Sequence, residues 1–503
     1  MVLVAHFLLM RLCIPAKNVI VLVIHHLFKI IPMPKSFLLF PALLICGAAI
    51  LYSPKSDNYT SVGTVMPAGK TPAENYQNYC SSCHGEKMDA FADRDWKHGK
   101  KLADLVKGIT KGYADEGMPA FEKAFSKKEI EELAEYILNG IKNRATYDFD
   151  DEPKSNIFKS DKLTVKLDTI ATGLDVPWGM AFLPDGGLLV TERNGRLYNV
   201  KNRKNTEIKG VPEVVAQGQG GLLDIVLDPG YEKNRLVYFS YSKPKGNQAT
   251  TAVMQAKVEG NFLKNQKIVF EALPYASTRH HYGSRLAFDK QGYLFISVGE
   301  RGNERQNPQS LDNALGKIHR INADGSIPED NPFKDKEGKP TSLYTYGNRN
   351  PQGIAFHPVT GELWETEHGP RGGDEINIIT PGSNYGWPVT SYGINYNGTT
   401  LTDKTTAPGI EEPLLYWLPS IAPSGTVFLT GGRYKGWEGA LLVGSLRFKY
   451  LNLCYLDGHK ITGQEKLLKN IGRVRDVRMA PDGYIYVAIE DKKGSIFRLV
   501  PVD

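Results

Sequence analysis

The stretch "GMAFLPDGGLLVTERNGRLYNV", residues 179–200, is an apolar run, a Pro-Asp-Gly-Gly turn and then a run that alternates apolar with polar residues. That pattern reads as two antiparallel strands joined by a tight turn. It returns as "LLDIVLDPGYEKNRLVYFSYS" (222–242), "SRLAFDKQGYLFISVGERG" (284–302), "QGIAFHPVTGELWETEHGP" (352–370) and "RDVRMAPDGYIYVAIED" (475–491). A looser copy is "GGRYKGWEGALLVGSLRFKYLNLCYL" (431–456). A lone small sheet cannot bury both faces, and this spacing suits radial blades rather than βα units. Six units predict a mainly β chain, a six-bladed β-propeller over 162–503. A β-sandwich is the competing arrangement, and the regular hairpin repeat argues against it.

At 503 residues the chain is too long for one ordinary domain. Its 41% hydrophobic and 23% charged residues are globular proportions, and 50 Gly with 25 Tyr suit strands and turns. The net charge of +6 comes from scattered Lys and Arg, which makes no case for nucleic acid.

There are five cysteines. Cys13 and Cys46 lie in apolar N-terminal segments, and Cys454 stands alone as an expected buried thiol. Cys80 and Cys83 belong to "NYCSSCHGEK" (78–87), where Cys-x-x-Cys-His is the attachment motif of a c-type haem. His84 is then the proximal iron ligand, and Met118 in "DEGMPAF" (115–121) is the distal candidate. Zinc or redox-thiol use of the two cysteines is the alternative. The adjacent His, the later Met-Pro loop and an apparent export signal weigh against it. His98 reads as a surface residue.

Around the motif, 71–144 is rich in helix formers. In "FSKKEIEELAEYILNGI" (125–141), Ser126 and Glu129 form a capping box, and Ile130, Leu133, Ile137 and Ile141 share one face. The segment resembles a small all-α class I cytochrome c. Residues 145–161, polar and aperiodic, read as a linker.

Haem is attached to such motifs outside the cytoplasm, which predicts export to the periplasm. "MPKSFLLFPALLICGAAILYS" (33–53) has the basic, apolar, then small and polar profile of a signal peptide or anchor. Residues 1–53 are therefore read as a signal or membrane-anchor region, with Met33 as the expected start. With "NVIVLVIHHLF" (18–28) upstream, a membrane hairpin is the alternative.

Four loop stretches carry charge that strand-building does not need. His281 in "RHHYGSRLAF" precedes a strand and suits a general base, with Glu300 in "SVGERG" placed to orient it. Arg349 and Asn350 in "YGNRNPQG" could bind an oxyanion or a carboxylate. "EHGPRGGDE" (367–375) offers turn carbonyls followed by Asp374 and Glu375, hard oxygens of the kind calcium takes. Arg473 and Arg475 alternate on a strand and, with Arg447, suit a polyanionic ligand.

From about Val165 to the end the chain resembles the pyrroloquinoline-quinone (PQQ) dependent soluble glucose dehydrogenases and, more closely, the aldose sugar dehydrogenases. The matching motifs, in order, are "VPWGMAF", "GQGGLLD", "HYGSRLAF", "GNRNPQGIAFHP", "NYGWP", "PSIAPSG" and "RVRDV". The resemblance implies that His281 takes the proton of a sugar's anomeric hydroxyl, with Glu300 behind it where the family commonly has Asp. It implies that Arg349, Asn350 and Gln219 contact PQQ, and that Arg447, Arg473 and Arg475 pair with its carboxylates; relatives carry Lys at the place of Arg447. It implies calcium on the carbonyls of Gly369 and Pro370, and matches Asp374, Glu375 and Tyr385 to a structural calcium site of some relatives. Leu418 stands where some glucose dehydrogenases have Trp, which favours the aldose branch.

The expected function is oxidation of an aldose to its lactone, with electrons passing through PQQ and the haem to a cytochrome or the respiratory chain. A calcium-dependent propeller lactonase or esterase, and a non-catalytic propeller that docks the cytochrome, are the alternatives.

Overall fold

Each of the first five quoted hairpins is the inner half of a larger sheet in the computed structural model, which describes residues 71–84, 88, 91, 96, 98–142, 153, 155–302, 304–396 and 399–502. The signal or anchor reading of 1–53 lies outside the described residues, as does the side chain of Cys83. Antiparallel four-stranded sheets fill 177–208, 222–271, 286–346, 351–417 and 423–467. The sixth sheet has five strands, in the order Ile157–Lys159, Thr164–Leu174, Gly494–Val502, Ile485–Ile489, Val474–Met479. These are the six blades of the propeller. The last is built from both ends of the ring: Thr164 lies opposite Val502, and Leu174 opposite Gly494. Its outermost strand, Ile157–Lys159, falls within the segment read as linker.

The second strand of a blade is deeply buried. Leu188–Glu192, Leu363–Glu367, Leu441–Ser445 and Ile485–Ile489 are buried at every residue. Outer strands are wetter, as in Lys460–Leu467, which alternates exposed with half-buried residues. Neighbouring blades bury these faces against each other. Val474, Val477, Val487 and Leu499 of one blade pack with Leu442, Leu451, Leu453 and Trp437 of the blade before it. The looser sequence copy starts late because the inner strand of its blade, Pro423–Phe428, precedes it.

The inner strands are stitched by buried charge. Arg285 Nη1 donates to Asp476 Oδ1 at 2.8 Å, and Arg478 donates to Asp476 Oδ2 at 3.0 Å and Asp224 Oδ1 at 2.5 Å. The two carboxylates also accept the backbone N–H groups of Met180 and Leu286. Arg285 is 2% exposed at its side chain and lies 4.2 Å from the Trp178 ring centroid. Three blades therefore meet through ion pairs, and a fourth through the Met180 N–H, an arrangement of satisfied bonds under which burying charge is tolerated.

The helical domain has three main helices. Helix α1 runs through 72–84 and widens to a π-type turn at Tyr76–Cys80, where Ser81 N–H reaches Tyr76 O. Helix α2 is Leu102–Lys111 and α3 is Lys127–Lys142. The Ser126–Glu129 capping box forms as read: Glu129 N–H donates to Ser126 Oγ at 3.3 Å, and Ser126 N–H to Glu129 Oε2 at 2.8 Å. Ile130, Leu133 and Ile137 are buried with Tyr79, Leu105, Ile109, Phe121 and Phe125, while Ile141 packs at the edge. Among the described residues no helix is long and apolar enough to cross a membrane.

Candidate functional site

His281 opens the site with a left-handed backbone, φ 53°. Only a few per cent of non-glycine residues adopt it, so surrounding bonds must hold it there. Its N–H donates to Gln219 Oε1 at 2.8 Å. Its carbonyl lies over Gly299, where a Cβ would sit 2.1 Å from His281 O, so only glycine fits. The His281 side chain is 12% exposed and that of Glu300 is 2% exposed. His281 Nδ1 is 2.5 Å from Glu300 Oε1, and Glu300 Oε2 accepts Gly302 N–H at 2.6 Å. Burial, then Arg349 and Arg301, hold the imidazole well below the usual histidine range, while burial raises the Glu300 carboxyl. Assigning the proton to Nδ1, facing the carboxylate, leaves Nε2 as a neutral base.

Arg349 and Asn350 share an anchor: both backbone N–H groups donate to Glu367 Oε2, at 2.5 and 3.2 Å. Arg349 Nη1 donates to His368 O at 3.0 Å and Gly369 O at 2.6 Å. Its Nε is buried without a hydrogen-bond partner, a donor in reserve for a ligand oxygen. Asn350 Oδ1 accepts Gly283 N–H at 3.1 Å, which ties it to the His281 loop. His368 completes the group: its Nε2 donates to Pro423 O at 2.7 Å and its Nδ1 faces Asn350 Nδ2 at 3.5 Å. Burial pushes the His368 imidazole down to about 3, so it is a neutral positioning group.

Beside this lies a cleft lined by His368, Gly369, Pro370, Asp374, Ser420 and Arg447. Arg447 Nη1 donates to Ser420 O at 3.2 Å. Arg473 and Arg475 face one side as read, and both meet Glu490. Arg473 reaches Glu490 Oε1 at 3.0 Å, and Arg475 Nε reaches Oε2 at 2.5 Å. Burial alone would raise the Glu490 carboxyl, but Arg475 and Arg473 together pull it well below the usual range. Arg475 also donates to Gln352 Oε1 at 2.9 Å, and Gln352 Nε2 reaches Asn350 Oδ1 at 3.4 Å. One chain of bonds thus joins the arginines to the base loop. The cations, together with the unpartnered Arg349 Nε, fit an anionic, carboxylate-bearing cofactor such as PQQ.

Calcium fits less well. Gly369 O is engaged by Arg349 and Pro370 O by Ser420 Oγ at 3.3 Å. Asp374 is spent on the turn, accepting from Gly369 N, Ser420 Oγ and Ala422 N. Tyr385 Oη donates to Ile378 O and accepts Thr380 N–H. Glu375 sits opposite Glu367 across a strand pair, and burial followed by mutual repulsion raises its carboxyl well above the usual range. Among the described residues no group of three or more His, Cys, Asp or Glu could hold a metal.

In the helical domain, Cys80 is buried in the same core as the partly buried Met118. His84 stacks on Phe91 at 4.3 Å. A thiol, an imidazole and a thioether around an apolar core fit a covalent haem. His98 is exposed, stacked on Tyr113 at 3.7 Å and bonded to Glu116 at 3.1 Å. Cys454 is buried, its thiol pushed up to about 12 by burial. Leu418 is 68% exposed.

Sequence reading missed His368, Glu367, Gln352 and Glu490. A signal for two of them was present. Glu192, Glu300, Glu367 and Glu490 each stand at or just beyond the end of the second strand of a blade. Glu192 Oε1 accepts Asp175 N–H at 2.7 Å, so in the first blade the carboxylate at this place supports a loop.

A propeller with a histidine–carboxylate base beside an arginine-walled cleft, preceded by a haem-type helical domain, defines a sugar dehydrogenase-like propeller joined to a cytochrome c domain. The Glucose / Sorbosone dehydrogenase family model matches residues 174–498, and the chain belongs to that family. The model of Cytochrome C oxidase, cbb3-type, subunit III matches residues 67–137. The aldose sugar dehydrogenase YliI of Escherichia coli (strain K12) is 41% identical over 347 residues, 67% of this chain and 93% of that protein. The solved apo form of the soluble E. coli aldose sugar dehydrogenase matches with TM-score 0.64 and 40% identity, over 67% of this chain and all of that one. The PQQ-bound aldose sugar dehydrogenase of Streptomyces coelicolor matches with TM-score 0.58 and 30% identity, over 68% of this chain and 99% of that one.

Proposed function

We propose that the chain oxidises an aldose at its anomeric carbon to the lactone, using PQQ in the cleft, and passes the electrons singly to its own c-type haem. The observation that carries this is the His281–Glu300 pair at 2.5 Å beside the cleft that Arg447 lines. PQQ, when bound, supplies the quinone that accepts a hydride, and the haem accepts single electrons. His281 Nε2 takes the hydroxyl proton as the anomeric C–H bond breaks. Glu300 holds the ring and balances the imidazolium that forms. Arg349 offers Nε to an oxygen bearing negative charge, and Gln219 and Asn350 fix the loop around it. Arg447, Arg473 and Arg475 would pair with the cofactor's carboxylates, with Glu490 sharing the charge of the last two. Cys80 and Cys83 would carry the haem covalently, with His84 and Met118 as its iron ligands.

Calcium on Gly369 and Pro370 would require Arg349 to release the Gly369 carbonyl, and no step is drawn through it. A lactonase would have no use for the arginine wall, because a neutral lactone calls for no such set of cations. Haem attachment outside the cytoplasm supports a periplasmic protein, carried there by residues 1–53 as signal or anchor, with a cytochrome or the respiratory chain taking the electrons.

The test is to load the chain with PQQ, add aldoses, and follow an artificial dye and the haem absorbance. No reduction of either by any aldose refutes the dehydrogenase. Dye reduction without haem reduction keeps the enzyme and refutes the relay.

A further inference from the structure

The helical domain meets the propeller at the wall of the cleft. Arg371 follows the Gly369–Pro370 turn and lines the cleft itself. Its backbone is fixed by paired bonds with Ile394, each 3.0 Å. Its guanidinium lies over the ring of Tyr79, 4.1 Å from the centroid. Tyr79 is the residue before Cys80, and both belong to the π-type turn of α1. Such turns are rare and gather at functional sites. Tyr79 is 4% exposed and cannot swing freely, because Phe125 and Phe121 stand edge-on to it at 4.8 and 6.3 Å.

A second close approach involves the residue before the distal ligand candidate. Gly117 precedes Met118, and a Cβ on it would sit 3.7 Å from His280 Nδ1. His280 adjoins the base, its ring 4.6 Å from that of His281. The residue before the first cysteine of the haem motif therefore packs on the residue after the Gly369–Pro370 turn, and the residue before the distal ligand candidate comes near the neighbour of the base.

We propose that Arg371 on Tyr79, backed by Gly117 on His280, is a latch that seats the haem domain on the cofactor cleft so that electrons cross within one chain. The proposal rests on the relay described under Proposed function. In each crossing the reduced cofactor loses one electron and ferric haem iron gains it. The second electron follows after a one-electron acceptor outside the chain reoxidises the haem. Tethering alone keeps the haem at high local concentration, and the latch adds the orientation that a tether cannot give. A cation over an aromatic ring suits this task, being attractive yet made without any covalent link.

The experiment uses the full haem-loaded chain with Tyr79→Leu, Arg371→Ala and Arg371→Lys. Hydrogen exchange, without PQQ or sugar, reads docking directly. Tyr79→Leu should speed exchange in the propeller at 278–283 and 369–373, and Arg371→Ala should speed it in the helical domain at 76–84 and 113–118. With PQQ and an aldose that the dye assay shows to be a substrate, haem reduction should slow by about tenfold or more in Tyr79→Leu, in line with loss of a buried cation–π contact. Dye-linked oxidation by that variant should not change. Should Tyr79→Leu disturb the haem spectrum, the other pair decides: Lys keeps a cation over the ring and should restore much of the haem reduction that Ala loses. Unchanged exchange and unchanged haem reduction in an enzyme that still reduces dye overturn the latch. A wild-type chain that reduces neither dye nor haem overturns the proposed function, while the exchange arm still reads the latch.

Discussion

Glu490→Gln removes the anion that Arg473 and Arg475 share. The Glu490 side chain is 7% exposed and that of Arg475 is 9% exposed, so water cannot replace the lost charge. Breaking a buried pair by removing one partner costs about 3–5 kcal/mol. Arg473, with 34% of its side chain exposed, adds little after screening by solvent. At about 2 °C per kcal/mol for a domain of this length, the cofactor-free chain should melt roughly 6–10 °C lower. Calorimetry against pH supplies the sign. The folded carboxyl is held well below its usual range, so the wild type's advantage is present above the unfolded pKa of about 4.3 and is lost as pH falls below it. A carboxylate-bearing ligand should supply the missing anion, so PQQ should raise the variant's melting temperature more than the wild type's. A variant that melts within a degree of wild type, or gains no more from PQQ than wild type does, would show that Glu490 is not the anion that Arg473 and Arg475 depend on.

His281→Ala should abolish sugar oxidation in the dye assay while PQQ still titrates by absorbance. Glu300→Asp should keep most of the turnover, and Glu300→Gln should lower kcat by roughly 10²–10⁴-fold, because the ring loses the anion that balances its charged form. Burial keeps His281 neutral, so the acid limb of the kcat/KM profile should lie below the ordinary histidine value of about 6.5. Ser126→Ala should cost the helical domain about 1 kcal/mol, read as earlier loss of its helical signal on heating.

The blades were legible because turn chemistry and alternation are local. "LPDGG" and "APDGY" need no partner elsewhere to be understood. Outer strands such as Lys460–Leu467 were not legible, because a half-wet strand carries only a weak pattern. The charges on the axis were hidden for another reason. Asp224 and Arg478 are 254 residues apart, Arg285 and Asp476 are 191, and only ring closure brings each pair together. His281 with Glu300 was readable because one hairpin carries both. Glu490 was not, although its place in the repeat matches that of Glu300. The role given to Arg473 and Arg475 considered the ligand's charge alone and left out the counter-charge that makes two buried cations tolerable before a ligand arrives.

The shared sixth blade also sets the order in which this molecule can come into being. The strand Thr164–Leu174 is made early and waits, one edge unpaired, for Gly494–Val502 at the far end of the propeller sequence. Until then the inner strand that carries Arg475 and Asp476 has no finished sheet behind it, and the axial ion pairs cannot assemble. Pairing of such long sequence separation is slow to form. Removing Gly494–Val502 would leave both Thr164–Leu174 and Ile485–Ile489 without the strand that joins them, and would remove the closure that holds the inner strand of Arg475 and Asp476 in the ring.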